Sequence, residues 1–99
     1  MELFEKIKDT AFIALSVVQE GNTLILGDRY ANTHLDGRLL QTPFDYILTI
    51  YDNDLGVERE LKAPLKDSEK IYMEILFIEK CLNKLREVMG DYHLVFEDD

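Results

Sequence analysis

SEKIYMEILFIEKCLNKLREVM, residues 68–89, is the stretch that decides the fold. Ile71, Ile75, Ile78, Leu82, Leu85 and Met89 recur at alternating intervals of four and three. That spacing places them on one side of a helix roughly 30 Å long. Pro64 stands just outside its start, Ser68 can accept a hydrogen bond from a first-turn amide, and Gly90 can adopt the left-handed conformation that ends a helix. Glu69 and Glu74 near the beginning and Lys84 and Arg86 near the end suit the macrodipole. An apolar stripe of this length must be covered, and a sheet is the natural cover.

Residues 1–20 predict a first helix, because Phe4, Ile7, Ala11, Ala14 and Val18 keep heptad spacing and Gly21-Asn22 follows as a stop. Phe12, Ile13 and Val17 make its second half apolar on nearly every side. The alternative is a strand over residues 12–18 that turns at residues 20–22 into residues 23–26. Residues 23–26 read as a short strand between Gly21 and Gly27. From Gly27 to Pro43 no apolar period is sustained, so a long surface loop is expected, with at most a short strand at residues 38–41.

Residues 45–52 alternate with apolar side chains on both faces, as in a central strand, and residues 52–56 form a turn. Residues 57–62 return as a partner whose Glu58, Glu60 and Lys62 face is wet. Tyr92, Leu94 and Phe96 alternate with His93, Val95 and Glu97, which predicts a final strand over residues 92–97. The expected architecture is a single α+β domain over residues 1–99. It has an N-terminal helix, a three- to four-stranded antiparallel or mixed sheet, the helix at 68–89 packed on it, and a C-terminal strand.

The chain has 11 basic and 20 acidic residues, a net charge of -9. Such a surface repels phosphate backbones and anionic lipid, which argues against direct nucleic-acid or membrane binding and in favour of a basic partner. No apolar run approaches the ~20 residues of a bilayer crossing. Residues 11–18 lack the basic front of a signal peptide, and the lone Cys81 has no internal partner, so a cytoplasmic protein is expected.

Recognised enzyme motifs are missing: there is no P-loop and no GxGxxG after a strand. The Asp52-Asn53-Asp54 turn fails as a calcium loop, since Gly56 falls one place early for an EF-hand and Ala63 stands where the bidentate Glu belongs. One Cys and two separated His do not make a zinc site. No metal or cofactor is expected, and no enzyme activity.

The candidate groups are therefore acidic, loop and apolar. Asp52, Asp54, Glu58 and Glu60, together with Asp91, Glu97, Asp98 and Asp99, would merge into one negative partner-binding face if the last strand paired beside the hairpin, with Tyr30, Tyr51 or Tyr92 as anchors. Asp28, Arg29, Tyr30, His34, Asp36 and Arg38 form a ligand-loop candidate, either holding an anion or nucleotide in a homo-oligomer or, through His34 and Asp36, serving a small hydrolase. Met73 and Phe77 point away from the main stripe and are candidates for a homodimer patch or for covering more of the sheet.

The leading expectation is a small acidic interaction protein that binds and inhibits a basic protein. In size and charge the chain resembles bacterial immunity proteins, antitoxins and phage-encoded inhibitors of host defence.

Overall fold

A computed structural model describes residues 2–29 and 35–97, with side chains through Leu85 and for Glu87. The chain runs through α1 (Leu3–Asp9), β1 (Leu15–Glu20), β2 (Thr23–Asp28), β3 (Leu35–Gln41), β4 (Asp45–Asp52) and β5 (Val57–Pro64). A single 3-10 turn, Leu65–Asp67, then leads into α2 (Ser68–Glu97). The five strands form one meander in the order β1-β2-β3-β4-β5, antiparallel at every step.

Strand register explains the layers. Leu15 on β1, Leu24 and Leu26 on β2, Leu35 and Leu39 on β3, and Tyr46, Leu48 and Ile50 on β4 are all buried on one face. That face meets Leu3, Phe4 and Ile7 of α1 and Ile71, Ile75, Ile78 and Leu82 of α2. The anticipated stripe of α2 is thus the one that packs on the sheet. Ile71 and Ile75 are fully buried, each contributing roughly 1.5–3 kcal/mol of transfer free energy. β4, paired on both sides, is a central strand as its two apolar faces imply, and β5 joins it through the turn expected at residues 52–56. Gly56 takes a φ of 67° there, a value that favours glycine.

The helix expected over residues 1–20 is only the seven residues of α1. The Thr10 hydroxyl donates to the Lys6 carbonyl at 2.8 Å and shares a 2.8 Å hydrogen bond with the Tyr72 hydroxyl, tying the helix end to α2. Beyond it the alternative reading holds: a hairpin with Glu20 opposite Thr23 and Gly21 at φ 62°. A helix through residues 11–18 would leave apolar side chains on every side. The strand assigns Leu15 and Val17 to the core and leaves Val18 outside, and the β-branched Val17 and Val18 suit it.

The long loop expected from Gly27 to Pro43 contains all of β3, so the sheet has five strands rather than three or four. Leu35, Gly37 and Leu39 alternate inward and Asp36 and Arg38 outward, but the glycine at an inward position breaks the apolar count. The final strand is likewise replaced, since α2 runs on to Glu97. The physical reason is in the spacing: after Leu85 and Met89, Tyr92 and Phe96 continue the alternation of three and four, so the helical period and the strand period coincide over these residues. Gly90 permits a left-handed stop without imposing one. Without that strand, the pairing that was to join the two acidic groups does not form.

Candidate functional site

Both helices pack on one face of the sheet, so the other face is open, and the register determines which side chains meet on it. Three rows cross it in the hydrogen-bonding direction. The first is Ser16, Gly27, Asp36, Tyr51, Glu58; the second is Val18, Ile25, Arg38, Thr49, Glu60; the third is Glu20, Thr23, Leu40, Ile47, Lys62. Directly opposed residues on neighbouring strands stand with Cβ atoms about 4.5–5.5 Å apart. Tyr51, 41% exposed, therefore lies between two carboxylates, Asp36 of β3 and Glu58 of β5.

The charges around this tyrosine are unevenly matched. Asp36 accepts a 3.2 Å hydrogen bond from the Asn53 side chain. Glu58 and Glu60 form no ion pair among the described residues, whereas Lys62 is held 3.5 Å from Asp45 and Arg59 reaches across the inner face to Glu74 at 3.4 Å. Asp36, Glu58 and Glu60 thus share the β3–β5 part of the open face with two cations, Lys62, which is held by Asp45, and Arg38, which forms no ion pair among the described residues.

Among the sequence-derived partner-binding residues, Glu58 and Glu60 lie on this face. Asp52 is used locally: its carboxylate accepts the N–H groups of Asp54 and Leu55 at 2.9 and 3.0 Å and shapes the turn. Asp54 is exposed in that turn. Asp91 and Glu97 lie in the last turns of α2, and Asp98 and Asp99 are outside the described residues.

The ligand-loop candidates are divided. Asp28 ends β2 beside Leu15, and Arg29 turns back to donate to the Leu15 carbonyl at 3.3 Å. Asp36 and Arg38 project from the opposite face. Tyr30 and His34 are outside the described residues, so the expectations pairing His34 with Asp36 and anchoring on Tyr30 fall there as well. Among the described residues, no group of three His, Cys, Asp or Glu side chains is placed to hold a metal ion, and no helix is long and apolar enough to cross a membrane.

Met73 and Phe77 are each 56% exposed on the flank of α2. Phe77 borders a cleft of about 160 Å³ that also involves Cys81 and Leu85 of α2 and Leu35 and Ile50 of the sheet.

Sequence reasoning missed two arrangements. Asp36 was assigned to the loop, and only the β3–β4 register brings it beside Tyr51. Glu79 drew no attention, yet its carboxylate accepts three backbone N–H groups, from Ile13 at 2.7 Å and from Ala14 and Leu15 at 2.9 Å, fastening the entry of β1 to α2. Its place one position beyond the apolar Ile78 was the only signal in the sequence. No family model matches the chain, and no curated protein or solved structure matches it either.

Proposed function

We propose that this protein is an acidic interaction domain that binds a basic protein partner through the open face of its sheet. The row Asp36–Tyr51–Glu58 is the observation that carries this reading. An exposed aromatic ring attracts a guanidinium or ammonium group over its face. Carboxylates on either side accept that group's hydrogen bonds, and a charged acceptor makes them stronger than neutral ones. Glu60 in the adjoining row extends the acidic surface, and Ile25, Leu40 and Ile47 give it an apolar neighbour. The net charge of -9 steers the encounter. Where the partner's basic surface normally holds phosphate, occupancy by this face blocks it, which makes the protein an inhibitor of such a partner.

Titration of an arginine-rich peptide into isotope-labelled protein, followed by amide shifts, tests the site. The largest shifts are expected at Asp36, Tyr51, Glu58 and Glu60, with affinity falling as salt rises. Tyr51→Ala and Glu58→Gln should each weaken binding roughly fivefold, equivalent to about 1 kcal/mol. Shifts scattered over both faces, or an affinity indifferent to these substitutions, would refute the assignment.

A further inference from the structure

The two edges of the sheet differ. β5 carries Glu58, Arg59, Glu60 and Lys62 and ends at Pro64, the devices by which natural edge strands avoid pairing with another chain. β1 has no proline and only one charged residue, Glu20 at its end: from Thr10 to Gln19 there is no Asp, Glu, Lys or Arg, in a chain that is 31% charged.

Its hydrogen-bonding pattern is also incomplete. Arg29 N–H bonds the Ala14 carbonyl at 2.8 Å, so that carbonyl and the backbone groups of Ser16, Val18 and Glu20 face β2, while the Ala14 N–H goes to Glu79 and Leu15, Val17 and Gln19 direct their groups outward. At Leu15 those outward groups are taken, the N–H by Glu79 and the carbonyl by Arg29. At Val17 and Gln19 they meet no partner among the described residues.

We propose that β1 pairs with β1 of a second copy of this chain, antiparallel about a two-fold axis through Val18. This register joins Val17 to Gln19 of the second copy and Gln19 to Val17 of the second copy. All the outward N–H and C=O groups left open on the two strands are then matched. Val18, 56% exposed, meets Val18 of the second copy on the open face as a closely spaced non-hydrogen-bonded pair. Ile25, opposite Val18 on β2, extends the apolar row on each side.

The spacing of the open groups is self-complementary, so a second copy satisfies them without any other chain. Two molecules of net charge -9 repel each other, and this register limits the repulsion at the contact by setting Glu20 against Ser16 rather than against another acid. The axis stands perpendicular to the sheet, so the two open faces lie on the same side and present two acid-flanked tyrosines together. The pairing does not depend on the basic-partner reading, and salt separates them: screening tightens the dimer and weakens the basic complex.

Sedimentation equilibrium of the full chain up to millimolar concentration should show a mass rising from 11.6 kDa towards twice that value, more steeply at high salt. Val18→Lys, which opposes two ammonium groups, should hold the mass at the monomer value with an unchanged far-ultraviolet circular dichroism spectrum. In a Cys81→Ser background, Val18→Cys should form a disulfide dimer under oxidised glutathione, because non-hydrogen-bonded pairs have the Cα separation a disulfide accepts. Ser16→Cys and Glu20→Cys controls should not. The proposal is overturned by a wild-type chain that stays monomeric, by a dimer that Val18→Lys leaves intact and Phe77→Glu dissolves, or by cross-linking no faster than in the controls.

Discussion

Gly37 faces inward between two large neighbours, and a Cβ there would stand 3.0 Å from Ile50 Cδ1 and 3.2 Å from Leu26 Cβ. The second contact is the harder to relieve, because Leu26 Cβ is fixed by the backbone of β2. Gly37→Val should lower stability by about 1–3 kcal/mol, read from the urea midpoint. Glu79 works in the opposite way, by adding contacts. Removing a carboxylate that satisfies three N–H groups should cost about 2–3 kcal/mol in Glu79→Ala, with Glu79→Gln recovering part of it, again by denaturant unfolding.

Tyr46 provides the pH dependence. Burial, aided by the Glu2 charge and opposed by a hydrogen bond with the Leu3 backbone, holds its phenol above the ordinary 10.0. The native protein keeps this proton after the unfolded chain has begun to lose it. The contribution is therefore complete below about pH 10 and is lost as pH rises through the native value. Midpoints measured across that range should fall in the wild type and fall less in Tyr46→Phe.

At the scale of elements, the period alone assigned α2, β4 and β5, because each buries side chains at its own regular interval. It misassigned residues 10–20 and 92–97, where two periods fit at once, and reached only the 38–41 end of β3, where Gly37 occupies an inward position without an apolar side chain. The competing readings of the C-terminal residues are separable in solution: Cα and carbonyl chemical shifts over residues 91–97 should be helical, whereas a strand would displace them with the opposite sign.

For the molecule as a whole, the acidic excess was plain in the composition, but its distribution was not. α2 from Ser68 to Glu97 carries six acids and four bases, so it accounts for two of the nine net negative charges, and part of the remaining excess lies on the open sheet face. Association with a basic partner should accordingly slow by roughly tenfold between low and physiological salt, measured by stopped flow. Glu58→Lys with Glu60→Lys should remove most of that dependence.

By itself the amino-acid sequence determined an α+β domain, the stripe from Ile71 to Leu82 that covers the sheet, the β4–β5 hairpin and a strongly negative surface. These follow from composition and from periods that repeat within one segment. Tertiary structure alone decided that residues 15–20 are a strand, that residues 92–97 are helical, and that Asp36 and Glu58 flank Tyr51. Those outcomes depend on which distant segments pair and in what register, and pairing is governed by burial shared between elements rather than by a pattern that any one of them carries.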